Sequence, residues 1–179
     1  INLRQNEKEN LKNLKKRDGK YILKTISTDG QKKFNEIHSI IKLLDWNDNA
    51  EESESILTNP DIEILTMTVT ESGYYIDSSN QLNTQNEIVK KNIEGKESNI
   101  IFSYLQKALN FRKKTCNKPI TLICCDNIRN NGEMLKNTLN SYLKNCKDEE
   151  LIEWIKVNVS FPSCVVDRIT PRPPDNLSK

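Results

Sequence analysis

Residues 62–70 read IEILTMTVT and residues 120–125 read ITLICC, and these two runs decide the fold. Each is a nearly continuous stretch of apolar and β-branched residues, the pattern of strands in the middle of a parallel sheet. The first, Ile62 to Thr70, is expected to be a strand buried on both faces. Ahead of it Glu51 to Asn59 reads as a short amphipathic helix that Pro60 ends. Between the two runs, Thr84 to Asn92 and Asn99 to Lys114 carry helical spacing, the second with Ile100, Ile101, Tyr104, Leu105, Ala108 and Leu109 on its apolar side. Beyond the second run, Gly132 to Lys144 and Asp148 to Lys156 read as helices, and residues 159–171, VSFPSCVVDRITP, return to an extended apolar segment. Strands that alternate with helices at this spacing need crossover connections. The expectation is an α/β fold with a mostly parallel sheet and helices on both faces.

Upstream of the first run, Asn6 to Arg17 has helical spacing with Leu11 and Leu14 inward, and Asp18 and Gly19 end it. Two alternating runs, Tyr21 to Ile26 and Lys33 to Ile37, flank a turn that holds Asp29 and Gly30, which predicts an inserted β-hairpin. The tail TPRPPDNLSK has the composition of a linker or an exposed end. One domain over residues 1–171 is expected, followed by a tail over residues 172–179.

Bulk chemistry narrows the function. Charged residues make up 29% of the chain yet the net charge is only +2, because Lys and Arg alternate with Asp and Glu. With 6% aromatics, no basic face interleaved with stacking residues is expected, which argues against a nucleic-acid partner. The cluster Lys12, Lys15, Lys16 and Arg17 reads as a solvated helix face. No apolar stretch approaches the roughly 20 residues of a spanning helix, and no charged-then-apolar signal segment opens the chain, so a cytoplasmic protein without a membrane partner is expected. The five cysteines, at 116, 124, 125, 146 and 164, contain no CxxC pair and have one histidine, His38, to assist them. A zinc site is not expected, and the thiols read as buried and free in a reducing compartment.

In open parallel sheets, ligands bind beyond the carboxyl ends of the strands. The residues there are polar: TVTESGY puts Glu71 and Gly73 after the first strand, CCDN puts Asp126 and Asn127 after the second, and VVDR puts Asp167 and Arg168 after the third. Three strands that end this way imply one shared site, although each residue taken singly also suits a helix cap or a turn, and Asp126 in particular suits a cap on the turn that follows it.

The order and wording of these clusters carry a resemblance. LTMTVTESGYYID, ITLICCDNIRNNG and VSFPSCVVDRITP closely resemble the TVTE-x-GY, CDN-x-x-x-NG and FP-x-x-VDRITP segments of the mannitol dehydrogenase family of polyol-specific long-chain dehydrogenases, in the same order. INLRQN, KKRDGKYIL and EWIKVNVSFP are similar to the family's connecting stretches, so the likeness runs along essentially the whole chain up to Pro171. Four positions depart from it: Ser72, Cys124, Ser163 and Val165 stand where family members often carry Gly or Lys, Ser, Asn and Met. They leave the class intact and the substrate open.

The resemblance implies a Rossmann-like domain that binds NAD and works with a separate helical C-terminal domain of the same parent chain, without a catalytic metal. The family oxidises sugar alcohols, or reduces ketoses and uronate-derived keto acids, by hydride transfer. Its first strand and glycine-rich GxGxFxR segment correspond to positions before Ile1, and its Lys-x4-Asn-x2-His motif, with the proton-accepting lysine, to positions after Lys179. The expectation is therefore a partial cofactor domain, inactive alone. By resemblance, Asn127 donates to the reacting oxygen, Asp167 holds substrate hydroxyls while Val166 shapes the pocket, Glu71 lies near the nicotinamide or the proton path, and Glu7 contacts the ribose. The competing reading is a non-catalytic Rossmann module kept for binding or assembly.

Overall fold

Side-chain caps start three of the helices, each by giving an acceptor to an amide that the first turn leaves unpaired. Asn49 accepts from Glu52 N at 3.1 Å, Asn86 from Ile88 N at 2.9 Å, and Asp148 from Leu151 N at 3.3 Å. The computed structural model describes residues 1, 8–77, 79 and 81–166. In chain order the elements are α1 (Lys8–Lys15), β1 (Tyr21–Ile26), β2 (Lys32–Ile37), α2 (Ala50–Ser55) running into a 3₁₀ turn (Ile56–Thr58), β3 (Ile64–Met67), a second 3₁₀ turn (Glu71–Tyr74), α3 (Glu87–Ile93), α4 (Ile101–Lys114), β4 (Ile120–Cys124), α5 (Asn131–Asn145), α6 (Glu149–Asn158) and β5 (Val159–Ser160). The expected elements are present, with ends that shift by a few residues, except that the extended segment expected over residues 159–171 is a strand only at Val159–Ser160 among the described residues. The tail over residues 172–179 and the start of the first helix lie outside the described residues.

β3, β4 and β5 form a parallel sheet in that order, with Ile64 opposite Thr121, Met67 opposite Cys124, and Ile120 opposite Val159. α3 and α4 carry the chain from β3 to β4, and α5 and α6 carry it from β4 to β5. The core lies where these helices meet the sheet: Leu122 and Cys124 of β4, Leu105 and Leu109 of α4, and Leu135 and Leu139 of α5 are fully buried. Phe102 sits between two further rings, with centroids 6.5 Å from Tyr74 and 5.8 Å from Tyr142.

Two expectations need correction. The 62–70 run is not a strand buried on both faces: β3 has four residues, pairs only with β4 among the described residues, and leaves Ile64 58% exposed. Among the described residues it stands at the edge of the sheet, and past Met67 the chain leaves the ladder to build a turn. Nor are the thiols all buried. The five cysteines are free, but only Cys124 lies in the core and Cys164 is exposed, because Cys164 follows the last strand instead of belonging to it.

The hairpin β1–β2 is antiparallel and separate from the parallel sheet, pairing Tyr21 with Ile37 through to Ile26 with Lys32. His38 follows it, exposed, with Nε2 at 3.2 Å from Glu36. No helix among the described residues is long and apolar enough to cross a membrane.

One buried cation braces the sheet from the amino side. Arg112, fully buried near the end of α4, donates from Nε to Lys118 O (2.7 Å), from Nη1 to Leu57 O (2.8 Å) and Asn59 O (3.2 Å), and from Nη2 to Pro119 O (2.9 Å). These carbonyls belong to the lead-in to β3 and the turn before β4, so the guanidinium joins the two strands' approaches.

Candidate functional site

At the opposite end, the chain leaves β3 through a strained turn. Thr70 has φ 72° and ψ 155°, a region that glycine alone occupies readily, and the 3₁₀ turn Glu71–Tyr74 follows at once. What holds this turn is a carboxylate from the neighbouring strand. Asp126, just past β4 and 6% exposed, accepts from Val69 N at 2.9 Å, from Thr70 N at 2.8 Å and from the Tyr74 hydroxyl at 2.6 Å. Asp126 was expected to cap the turn after it. Its side-chain bonds instead run back to β3's outlet, because β4 delivers the carboxylate opposite the Val69 and Thr70 amides just past its partner strand.

The third outlet is tied in by Asn131, the first residue of α5, which is also buried. Its amide nitrogen donates to Asp126 O at 3.2 Å and Cys164 O at 3.0 Å, and its carbonyl accepts from Cys164 N at 3.0 Å. The Cys164 thiol donates to Cys124 O at 3.1 Å, and Gly132 N donates to Ser163 Oγ at 3.2 Å. Gly132 permits this approach: a Cβ there would lie 2.5 Å from both Phe161 O and Pro162 O. The three strand ends are thereby stitched edge to edge by Asp126 and Asn131. Neither role was read from the sequence, although the CDN-x-x-x-NG spacing holds the signal by putting both residues at the start of one loop-to-helix junction.

Asn127 sits on this rim. It is exposed, immediately follows the buried Asp126, and its side-chain amide has no hydrogen-bond partner among the described residues. Val166, 44% exposed, lies two residues past the tethered Cys164. Glu71 opens the 3₁₀ turn, so its backbone stands next to the clamped Thr70. Glu7 and Asp167 fall outside the described residues. A crevice of about 540 Å³ opens beside the β3 outlet, walled by Thr68, Val69, Thr70, Ser72 and Tyr75 and closed by Asn99 at the foot of α4. Asn127 is not among its wall residues. No group of three or more potential metal ligands occurs among the described residues.

The electrostatics favour one charge state in the clamp. Burial alone would raise the Asp126 carboxyl, but hydrogen bonds from Tyr74, Val69, Thr70 and Cys124 outweigh it and hold the group below the usual 3.8. Tyr74 moves the other way: burial, and then its donation to Asp126, push its hydroxyl well above the ordinary tyrosine range. Burial also raises the Cys124 thiol, whose Sγ lies 3.0 Å from the Tyr74 hydroxyl. The pair is thus a neutral phenol donating to an ionised carboxylate, a charge-assisted bond of the stronger kind.

Comparison with known proteins places this geometry. A family model described as the mannitol dehydrogenase Rossmann domain matches residues 1–177. D-arabinitol 4-dehydrogenase of Klebsiella pneumoniae is 34% identical over 176 residues, which is 98% of this chain and 38% of that enzyme. Mannitol 2-dehydrogenase of Pyrenophora tritici-repentis is 35% identical over 90% of this chain and 29% of its own length. Among solved structures, the ternary complex of Pseudomonas fluorescens mannitol 2-dehydrogenase with NAD and D-mannitol superposes with a TM-score of 0.83 at 30% identity, covering 94% of this chain and 35% of that one. The chain spans less than two fifths of the length of these relatives.

Proposed function

The chain belongs to the mannitol dehydrogenase Rossmann-domain family, and from that premise we propose that the whole protein is an NAD-dependent oxidoreductase that interconverts a sugar alcohol, or a hydroxy-uronate, and its keto form. The observation that carries this reading is the rim itself: three parallel strand ends drawn together, with the unpartnered Asn127 amide beside them. When bound, NAD would supply the hydride chemistry. The residues present fit one end of such a cofactor. The crevice of about 540 Å³ lies within the usual span of small-molecule sites, about 300–1,000 Å³. Its walls include the polar residues Thr68, Thr70, Ser72 and Asn99 beside Val69 and Tyr75. Glu71 is proposed to lie near the nicotinamide or the proton path, and Glu7 to meet the ribose and to disfavour an added phosphate.

In this reading Asn127 donates to the substrate oxygen, which gains negative charge as hydride adds to a carbonyl carbon. An amide suits the task because it stays neutral and presents a fixed donor. Asp167 is proposed to hold neighbouring hydroxyls, with Val166 shaping the wall. The proton acceptor is proposed to lie outside these 179 residues, so that they give no turnover alone.

The test is made in the whole protein, following NADH formation with D-arabinitol, D-mannitol and D-sorbitol, and NADH consumption with fructuronate. Turnover of at least one is expected. Asn127→Ala should then lower kcat by about 10²- to 10³-fold with NADH affinity nearly unchanged. No turnover with any polyol or keto acid would favour a binding module over an enzyme, and a normal kcat in Asn127→Ala would remove the oxyanion role.

A further inference from the structure

We propose that Asp126 is a positioning residue of the reaction: its carboxylate clamps the Val69–Tyr74 turn against β4, and so sets Glu71 relative to Asn127. The inference rests on the function proposed above. It goes further, because it assigns a catalytic consequence to a buried group that touches no substrate.

The geometry gives the reason. Glu71 lies within a six-residue segment, and three donors of that segment converge on one carboxylate: Val69 N and Thr70 N before Glu71, and the Tyr74 hydroxyl after it. The segment would not hold this shape unaided, since Thr70 is β-branched and sits at φ 72°. On the other side, Asn127 is joined to the clamp by one peptide bond, and the Asp126 carbonyl is itself held by Asn131. Any slack at the carboxylate therefore appears as a change in the spacing between the two strand ends.

An amide cannot replace the carboxylate. Oδ2 accepts from both Val69 N and Tyr74, and Oδ1 accepts from Thr70 N. In either orientation an asparagine turns an N–H₂ toward one of the backbone amides, donor against donor. The turn must then open on that side. Misplacement of a catalytic group by about 1 Å can cost 10²-fold in rate.

The experiment uses the whole protein with its best polyol and NAD. Asp126→Asn should lower kcat by about 10²-fold, well beyond any loss of NADH affinity from the disturbed crevice wall, and hydrogen exchange should show lost protection of the Val69 and Thr70 amides. Tyr74→Phe removes one tether and leaves the two backbone bonds, so a smaller fall in kcat, about 10-fold, is expected, again larger than any change in NADH affinity. A folded Asp126→Asn variant with wild-type kcat overturns the proposal, even when its Tm is lower, because that is the signature of a purely structural bond. If Asp126→Asn fails to fold, Tyr74→Phe decides: an unchanged kcat there overturns it equally. A wild-type protein that turns over no polyol refutes the function instead; the clamp is then read from exchange alone, and unchanged protection at Val69 and Thr70 in Asp126→Asn overturns the clamp.

Discussion

Asp126 and Tyr74 shift their proton affinities in opposite directions, and the signs fix how the β3 outlet responds to pH. The carboxyl is held below 3.8 in the folded protein, so the unfolded chain takes up a proton first as the pH falls. Its stabilising contribution is complete above 3.8 and is lost as the pH drops through the lower folded value. Tyr74 is raised, so its contribution is complete below the ordinary value of 10.0 and is lost only as the pH climbs far above it. Other carboxylates, such as Asp29 and Asp77, are also lowered but lie in solvent. Comparing wild type with Asp126→Asn isolates the buried one. Urea unfolding between about pH 5 and pH 3 should show wild type losing stability more steeply than the variant. Parallel curves would mean that the carboxylate is no better held in the folded chain than in the unfolded one. Little of this was legible in CCDN, because apart from the Cys124 thiol the donors to Asp126 stand 52, 56 and 57 residues away.

Elements were the most readable level. Apolar period and breakers such as Pro60, Asp18-Gly19 and Pro119 marked the helices, the hairpin and β4 nearly where they stand, because each follows from local propensity and one buried face. β3 was misjudged for a physical reason. Thr66, Thr68 and Thr70 are β-branched and so resemble a buried strand, yet they are exposed at the sheet edge, and composition does not distinguish a strand covered on both sides from one that borders a crevice. Asn127 and Glu71 became candidates as polar residues beyond strand ends, and Val166 through the family resemblance alone, whereas the stitching by Asn131 depends on the tertiary approach that Gly132 allows. Arg112 was equally invisible, being the first of three consecutive basic residues in the last turn of an amphipathic helix. Its four carbonyl acceptors are spread over two connections. A lysine has one donor atom to satisfy them and no planar fork. Arg112→Lys should therefore lower the urea midpoint by the equivalent of about 2–4 kcal/mol with an unchanged slope, since several buried acceptors lose their donor. A loss under about 0.5 kcal/mol would show that water or a repacked turn replaces the guanidinium.

For the molecule as a whole, the family follows from residues 1–177, and the described rim needs only the three-stranded sheet and the helices around it. The hairpin β1–β2 stands apart from that sheet, with Ile22 and Phe34 exposed, and contributes nothing to the crevice wall. This chain spans less than two fifths of the length of the arabinitol and mannitol dehydrogenases that it matches. Within the chain, the site depends on contacts between segments far apart in sequence, and that has a consequence in time. The bond from Val69 N to Asp126 closes a loop of 57 residues, while α4, α5 and their caps need only near neighbours. Closing such a loop costs entropy before any bond in it is gained, so the helices should assemble ahead of the clamp. A contact absent from the transition state governs how fast the native state comes apart, not how fast it forms. In stopped-flow chevrons, Asp126→Asn should steepen nothing and leave the refolding limb in place, but raise the unfolding limb. The carboxylate that aligns the rim would then also be its lock against opening, and the strand ends would be the first part of the sheet to come undone.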